Sequence, residues 1–234
     1  MTRPLRYIAL IPAAGVGARV DGVEVPKQYL RLGARAMLEH SIDALLSDGR
    51  IDRVFVVVTA ADTRWQELEV DDERVEFLPV GGASRAESVR NGLIAIAART
   101  SDDDRVLVHD AARPCLTEQQ LARLIDDIGD DDNGGLLAIP LADTLKRAED
   151  GRVGITLDRA SLWCAQTPQL FRVGSLRAAL GSGPIEEFTD EASAMERVGH
   201  APRLVLGGAS NVKVTTAEDL VLARAILGDQ GRLA

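Results

Sequence analysis

Short apolar runs alternate with stretches of helical spacing along most of this chain. The runs that predict buried strands cover residues 7–12, 53–59, 75–79, 105–109, 136–140 and 203–206. Helical spacing or capping signals cover residues 36–46, 84–98, 117–128, 172–180, 190–198 and 215–227. Strands that are apolar throughout are typical of sheets covered on both faces, and strand–helix alternation is typical of parallel sheets. The sequence therefore predicts an α/β fold in which helices cover both faces of a parallel sheet.

Residues 142–166 break this alternation. Two extended segments, 143–148 and 161–165, flank a turn at Glu149-Asp150-Gly151, and no helical spacing separates them. This pattern predicts a β-hairpin that leaves the sheet. Its apolar side chains would be exposed in an isolated chain, which favours pairing with a second subunit; an insertion folded back onto the domain is the alternative. We expect one domain over residues 1–234, with a protruding β-hairpin arm at about 142–166.

The overall charge limits the partners that the chain can bind. Its 234 residues carry a formal net charge of −9, and 3% of them are aromatic. Binding to a nucleic-acid backbone needs a basic surface, and stacking on single strands needs aromatic side chains, so we expect no nucleic-acid partner. A small phosphorylated ligand is compatible with this charge if cations cluster locally.

We also expect no membrane partner and no secretory segment. No apolar run reaches the length of a membrane-spanning helix, and the first residues lead into a strand without a signal-peptide pattern. Cys115 and Cys164 lie far apart, with no Cys-x-x-Cys pair. This is typical of reduced thiols, and it predicts a cytoplasmic protein.

The first strand ends in a loop of small residues. After Pro12 come Ala13, Ala14, Gly15, Val16 and Gly17, and the positive charges of Arg19 and Lys27 follow. Small side chains let backbone N–H groups approach an anion, so this loop favours phosphate binding. The third glycine of a dinucleotide fingerprint is absent, and no Gly-Lys-Ser/Thr follows. An ordinary strand-to-helix turn with surface charges is the alternative at this point.

Other polar residues follow the predicted strands in the same way. Gly81-Gly82 comes after the third strand and His109-Asp110 after the fourth. Ligands of open α/β sheets bind outside the carboxyl ends of the strands. These loops and the glycine loop are therefore expected to meet at one edge of the sheet.

Taken together, an ordered set of short motifs resembles one family over essentially the whole chain. The motifs are residues 13–19, Pro26-Lys27-Gln28-Tyr29, Gly81-Gly82-x-x-Arg85-x-x-Ser88-Val89, His109-Asp110-Ala111-Ala112-Arg113-Pro114, Asp143-Thr144, Asp158-Arg159, Gln166-Thr167-Pro168-Gln169, Thr189-Asp190-Glu191-Ala192-Ser193 and Asn211-Val212-Lys213-Val214-Thr215. The chain is similar to the 2-C-methyl-D-erythritol 4-phosphate cytidylyltransferases of the non-mevalonate isoprenoid pathway. The resemblance implies a Rossmann-like nucleotidyltransferase sheet and a homodimer joined through the β-arm. It also implies the transfer of CMP from CTP to methylerythritol phosphate, with release of pyrophosphate and a requirement for magnesium.

The same resemblance implies roles for individual residues. Nucleotide contacts fall on Pro12, Ala13, Ala14, Gly15, Gly17, Gly82 and Ser88. Catalytic positive charges fall on Arg19, Lys27, Lys213 and Arg159, the last reaching the other subunit's site from the arm. Contacts with methylerythritol phosphate fall on Asp110, Arg113, Thr144, Arg159, Thr167 and Thr189, and Asp110 also binds the magnesium ion.

The implied reaction needs charge compensation more than a base. A phosphate monoester has a second pKa near 6 and is largely dianionic near neutral pH, so its oxygen attacks without losing a proton. Catalysis then depends on positioning and on neutralising the phosphates.

Simpler interpretations of these residues stay open. Asp110 could cap the Ala111-Ala112 turn, and Lys213 and Arg159 could be solvated charges. His109 is interpreted as structural, and Arg85 as ordering the Gly81-Gly82 loop. Thr189 could cap the helix that begins at residue 190, with or without a substrate contact. Ala83 stands where some family members carry an aspartate beside the nucleotide, which puts a side-chain contact with ribose in doubt.

Three other functions are compatible with parts of the pattern. Ribitol-5-phosphate cytidylyltransferases share the fold but tend to carry Ala-Gly-Gly where this chain has Ala13-Ala14-Gly15. A non-catalytic nucleotide-binding module explains the glycine loop but gives no reason for combining Lys27, Asp110 and Lys213. A dinucleotide oxidoreductase is disfavoured by the missing glycine.

Overall fold

A computed structural model of the protein describes residues 5–15 and 25–233. The strands are β1 (Tyr7–Pro12), β2 (Arg31–Leu32), β3 (Arg35–Ala36), β4 (Ile51–Val57), β5 (Val75–Leu78), β6 (Arg105–Val108), β7 (Gly135–Pro140), β8 (Leu145–Glu149), β9 (Arg152–Leu157), β10 (Trp163–Arg172) and β11 (Arg203–Leu206). The helices are α1 (Met37–Leu46), α2 (Arg85–Ala95), α3 (Glu118–Ile128), α4 (Val173–Leu180), α5 (Glu191–Arg197) and α6 (Ala217–Asp229). No helix in these described ranges is long and apolar enough to cross a membrane.

The central sheet has seven strands in the order β11-β7-β10-β6-β1-β4-β5. Strand β1 pairs in parallel with both β4 and β6, but β10 pairs antiparallel with both β6 and β7. The predicted α/β class is confirmed, whereas the expectation of an all-parallel sheet is wrong. Parallel neighbours need a crossover connection, usually a helix, and no helix lies between β7 and β10. The chain therefore re-enters the sheet beside β7 in the opposite direction.

Helices pack on both faces of this sheet, as predicted. Side chains of β1 alternate between two cores because successive residues of a strand point to opposite faces. Ile8 and Leu10 lie in one core with side chains of α2, α4 and α5. Ala9 and Ile11 lie in the other core with side chains of α1 and α3. A third cluster packs α6 against the start of α1 and the segment after β6.

The arm is a separate two-stranded sheet. Strands β8 and β9 pair antiparallel across a turn at Asp150 and Gly151, whose φ angles are 49° and 75°. Positive φ at both central residues suits a two-residue hairpin turn, since it matches the twist of the strands. The predicted hairpin is confirmed, but its second strand is β9 and not residues 161–165. Those residues belong to β10, which pairs with β7 and shifts register between Ala165 and Gln169.

Element ends also differ in places from the predictions. Residues 169–172 continue β10, so α4 begins at Val173 and not at residue 172. The side chain of Asp190 caps α5, accepting a hydrogen bond from the Ser193 amide at 2.9 Å. Thr189 is therefore not the capping residue.

Candidate active site

Loops from separate parts of the chain meet at the carboxyl ends of β1 and β6, as expected. They enclose a cavity of about 180 Å³. The described residues that line it are Pro12, Ala13, Gly15, Lys27, Gln28, Arg85, Asp110, Ala111, Ala112 and Lys213. Of the four charged side chains in this described lining, three are cationic, so the cavity suits an anionic ligand.

Asp110 contacts several of these cationic side chains. It is 7% exposed, and its Oδ1 accepts a hydrogen bond from Nε of Arg85 at 2.7 Å. Its Oδ2 lies 2.9 Å from Nζ of Lys213 and 3.7 Å from Nε of Arg113. Burial opposes the charged form, but Arg85 and Lys213 outweigh it and hold the pKa of Asp110 well below its usual range. The carboxylate is therefore ionised and shared between cations on opposite sides.

Lys27 adds a third cation to this cluster. Its Nζ donates to the Val214 carbonyl at 3.4 Å, next to Lys213 in the chain. Burial and the charge of Lys213 lower the pKa of Lys27 from its usual value, against the opposing effect of Asp110. One half-buried lysine (Lys27) and one exposed lysine (Lys213) near a single carboxylate leave an excess of positive charge, which a bound phosphate chain would relieve.

Arg85 connects the cluster to a second buried carboxylate. Its Nη1 and Nη2 donate to Oε1 and Oε2 of Glu191 at 2.6 and 3.0 Å. Glu191 is 1% exposed; burial raises its pKa, and Arg85 works in the opposite direction. The interpretation of Arg85 as ordering the Gly81-Gly82 loop is therefore wrong.

That loop is held by residues of α2 that follow Arg85. The hydroxyl of Ser88 accepts from the Gly82 amide at 3.1 Å, and Glu87 accepts from the Ala83 amide at 2.7 Å. Ser88 itself is 2% exposed. Its hydroxyl therefore shapes the loop that the sequence assigned to the nucleotide.

The wall behind Asp110 is a buried polar network. The Asp110 amide donates to Oγ1 of Thr167 at 3.0 Å, and Thr167 lies 3.1 Å from Nδ1 of His109. His109 Nε2 lies 3.1 Å from the Arg113 carbonyl, so Nε2 carries the proton and Nδ1 accepts from Thr167. Burial lowers the pKa of His109 to about 4, and the ring is fully buried. These contacts agree with the structural interpretation of His109.

Arg113 and Asn211 close this wall toward Lys213. Arg113 donates from Nη1 to the Asn211 carbonyl at 2.7 Å, and Asn211 Nδ2 donates to the Thr167 carbonyl at 2.8 Å. Both side chains are buried. Together they fix the segment that carries Lys213 against β10.

The loop after β1 is braced from two sides. Gln28 donates from Nε2 to the carbonyls of Ala13 and Gly15 at 2.9 and 3.1 Å. The Ala13 amide donates to the Val57 carbonyl at 2.8 Å and is therefore not available to a phosphate. Gly81 lies so close to Ala14 that an added Cβ would overlap its side chain. The predicted residues Gly17 and Arg19 lie outside the described residues.

Other predicted site residues lie away from this cavity. Thr144, Arg159 and Thr189 are exposed and do not line it. Arg159, on the connection between β9 and β10, forms no hydrogen bond or ion pair through its side chain with any described residue. A single chain thus brings Lys27, Asp110, Arg113, Thr167 and Lys213 together and leaves the three exposed residues apart.

Two residues of the site had no predicted role. Gln28 and Glu191 both lie inside motifs that carried the family resemblance, yet their local patterns give no sign of their contacts. Gln28 is 5% exposed and Glu191 is 1% exposed. A buried, paired polar residue is visible only once the tertiary structure is known.

The donors present fit a magnesium ion held jointly with a nucleotide. No group of three or more His, Cys, Asp or Glu side chains that could hold a metal occurs among residues 5–15 and 25–233. Mg²⁺ usually binds through one or two carboxylates together with substrate phosphates. The ionised Asp110 at the cavity wall meets that requirement.

Comparisons with known proteins agree over the whole described fold. The profile of the family described as 2-C-methyl-D-erythritol 4-phosphate cytidylyltransferase (IspD) matches residues 7–229. A relative of that description from Laribacter hongkongensis is 53% identical over 225 residues, covering 95% of this chain and 96% of the relative. A crystal structure described as 4-diphosphocytidyl-2C-methyl-D-erythritol synthase matches with a TM-score of 0.86 at 42% identity, covering 96% of this chain and all of the other. The Francisella tularensis cytidylyltransferase matches with a TM-score of 0.81 at 32% identity, covering 95% of this chain and all of the other. The chain belongs to the 2-C-methyl-D-erythritol 4-phosphate cytidylyltransferase family.

Proposed function

We propose that this protein transfers a cytidylyl group from CTP to 2-C-methyl-D-erythritol 4-phosphate. An oxygen of the sugar phosphate attacks the α-phosphorus of CTP. The bond from that phosphorus to the oxygen bridging to the β-phosphate breaks, and pyrophosphate leaves. The products are 4-CDP-2-C-methyl-D-erythritol and pyrophosphate. The reaction is a step in the synthesis of isoprenoid precursors. The observation that carries this proposal is the cluster of Arg85, Lys27 and Lys213 around Asp110 at the carboxyl ends of β1 and β6.

Lys27 and Lys213 are the residues that we assign to charge compensation. Both line the cavity, and both lie close enough to Asp110 for their charges to interact. Negative charge builds on the oxygens around the α-phosphorus and on the leaving pyrophosphate as the bonds change. Fixed cations at these positions stabilise that charge without any rearrangement of solvent. Arg19 is assigned to the same role by the family resemblance.

Asp110 is the residue that would hold a magnesium ion, together with the triphosphate. A bound magnesium ion would supply neutralisation of the phosphate oxygens. The ion pair between Lys213 and Asp110 has two effects before substrates bind. It keeps the lysine inside the cavity and keeps the carboxylate ionised.

The remaining assignments concern the two substrates. The loop after β1 (Pro12, Ala13, Ala14, Gly15 and Gly17) and the residues Gly82 and Ser88 are assigned to the nucleotide. Amides from Ala14 onward are the donors that we expect to reach phosphate, since the Ala13 amide is used in the sheet. Arg113, Thr144, Thr167, Thr189 and Arg159 are assigned to methylerythritol phosphate. For the buried Arg113 and Thr167, shaping the wall that holds Asp110 is part of that role.

We further propose a homodimer joined through the arm, in which Arg159 enters the partner's site. Val153 and Ile155 on β9 are 65% and 50% exposed, and Trp163 at the start of β10 is 39% exposed. Exposed apolar side chains on β9 and at the nearby start of β10 favour a protein partner. The charge of Arg159, which has no ion-pair partner among residues 5–15 and 25–233, supports a role across the interface.

The cytoplasm is the proposed location. Cys115 is buried, Cys164 is exposed, and both are free thiols. Free thiols persist where the surroundings are reducing.

A paired substrate assay tests the function. Pyrophosphate release is measured with CTP and methylerythritol phosphate, then with ribitol 5-phosphate, and then with ATP, GTP or UTP in place of CTP. We expect release with the first pair and little with the others. A preference for ribitol 5-phosphate would overturn the assignment in favour of the sister enzyme, and nucleotide binding without release would favour a non-catalytic module.

A further inference from the structure

Glu191 is a fully buried carboxylate whose oxygens both face one guanidinium. Its contacts to Nη1 and Nη2 of Arg85 form a bidentate pair, and its side chain is 1% exposed. A buried charge persists only when it is paired, and planar bidentate pairing is the geometry in which arginine binds a carboxylate most strongly. The position of Arg85 is therefore determined largely by Glu191.

Glu191 itself is held by β10. Gln169 of that strand donates from Nε2 to Asp190 at 2.9 Å and accepts from the Ala192 amide at 2.8 Å. These two hydrogen bonds hold the residues on either side of Glu191 in place. Two residues earlier, Thr167 accepts from the Asp110 amide. One strand thus positions both carboxylates that contact Arg85.

This arrangement determines which oxygen of Asp110 contacts which neighbouring cation. Arg85 reaches Oδ1 with a single N–H because its two terminal nitrogens are engaged by Glu191. The other oxygen, Oδ2, lies 2.9 Å from Nζ of Lys213 and, more distantly, 3.7 Å from Nε of Arg113. Arg85 and Glu191 together carry no net charge, so Asp110 keeps a negative charge to offer to the cavity. Without the charge on Glu191, Asp110 would be the carboxylate left to compensate Arg85.

We propose that Glu191 is a positioning residue: it orients and neutralises Arg85, so that Oδ2 of Asp110 stays available to a divalent cation bound with the nucleotide. This inference rests on the proposed function, in which Asp110 holds a magnesium ion. The test therefore measures binding and does not depend on turnover.

The test compares CTP binding by calorimetry with and without Mg²⁺, in the absence of the second substrate. In the wild-type protein we expect Mg²⁺ to tighten CTP binding. Glu191→Gln keeps the shape of the side chain and removes its charge. Replacement of residues that orient a metal ligand typically lowers metal affinity by about 10- to 100-fold, and we expect the Mg²⁺-dependent gain in CTP affinity to shrink by about that factor. Metal-free CTP binding should be unchanged or tighter, because the cavity has become more positive.

A smaller Mg²⁺-dependent gain without weaker metal-free binding separates positioning from a loss of structure, which would weaken both. Glu186→Gln is the matched control, since Glu186 is an exposed glutamate five positions away, and it should behave like the wild type. Arg85→Lys provides a second variant should Glu191→Gln fail to fold. Lysine keeps the charge but cannot hold Glu191 and Asp110 at once, so the Mg²⁺-dependent gain should shrink there too.

Asp110→Asn separates this inference from the function on which it rests. If Asp110→Asn loses the Mg²⁺-dependent gain and Glu191→Gln keeps it, the role of Glu191 is wrong and the metal site stands. If Asp110→Asn keeps the gain, the metal assignment is wrong and the inference falls with it. Product formation by the wild-type protein is measured separately and tests the transfer reaction itself.

Discussion

The main-chain amide of Asp110 donates a hydrogen bond to the side-chain hydroxyl of Thr167 at 3.0 Å. The two residues belong to neighbouring segments that run in opposite directions, since Asp110 follows β6 and Thr167 lies in β10. Thr167 is 5% exposed, and its hydroxyl also contacts Nδ1 of His109. The position of the main chain that carries this carboxylate therefore depends on a buried hydroxyl group, in addition to the ion pairs of the carboxylate itself.

Thr167→Val should displace Asp110 and destabilise the fold. The substitution keeps the shape but leaves the Asp110 amide and Nδ1 of His109 without partners, which costs about 1–3 kcal/mol for an unsatisfied buried group. We expect a lower thermal midpoint and a loss of kcat, measured by thermal unfolding and by pyrophosphate release. Thr167→Ser keeps the hydroxyl and should retain most of both. Equal loss in the valine and serine variants would contradict this explanation.

The buried His109 should make the protein less stable as the pH falls. The folded-state pKa is about 4, below the ordinary value of 6.5, so the unfolded chain takes up the proton first as the pH falls below 6.5. Between pH 7.5 and pH 5 this difference predicts a loss of about 2 kcal/mol in the free energy of unfolding. Urea titrations at the two pH values measure it. His109→Gln should be less stable than the wild type at pH 7.5. Its free energy of unfolding should fall between pH 7.5 and pH 5 by about 2 kcal/mol less than that of the wild type.

Gly81→Ala should disturb nucleotide binding through the loop after β1. An added Cβ would overlap the side chain of Ala14 and approach the Val58 carbonyl oxygen to 2.9 Å. Small displacements of a binding loop can cost about 100-fold in rate, so we expect kcat/KM for CTP to fall by about 10- to 100-fold. Adding Ala14→Gly to this variant should restore part of the loss. Gly49→Ala, where a Cβ meets no atom within 4 Å, is the control.

Mixing two inactive variants tests whether Arg159 acts across a dimer. Lys27→Ala should damage a chain's own cavity, and, if Arg159 acts across the dimer, Arg159→Ala should damage the cavity of the partner. In a mixed dimer, the Arg159→Ala subunit keeps Lys27 and receives an intact Arg159, so one site of the two is complete. Random pairing at equal amounts should restore about a quarter of wild-type activity. If no activity returns although exchange of subunits is verified by light scattering and tagged pull-down, Arg159 does not act in trans.

Local patterns were sufficient to predict much of this structure. The apolar runs and their helical partners are features of a few neighbouring residues, and β1, α1 and β11 begin and end within one residue of their predictions. The meeting of the loops after β1 and β6 follows from the general behaviour of α/β sheets. Lys27 and Asp110 were therefore identifiable before their geometry was known, whereas Lys213 was implied by the family resemblance.

Features that depend on distant contacts were not predictable in this way. The reversed direction of β10 is set by its pairing with β6 and β7, and residues 169–172 carry no local sign of it. The charge of Arg85 gave no indication that its partners are Asp110 and Glu191. Glu191 has the sequence character of an exposed helix-start residue, and only packing against β10 and Arg85 buries it.

The register shift of β10 against β7, between Ala165 and Gln169, limits how the length of this region can vary in evolution or engineering. Side chains alternate along a strand, so deleting one residue at this shift would turn the strand residues on its arm side to the opposite face of the sheet. At the far tip of the arm, by contrast, matched pairs of residues can be added to β8 and β9 without changing which side chains face which side. Natural or designed variation in length should therefore collect at the tip around Asp150 and spare residues 165–169.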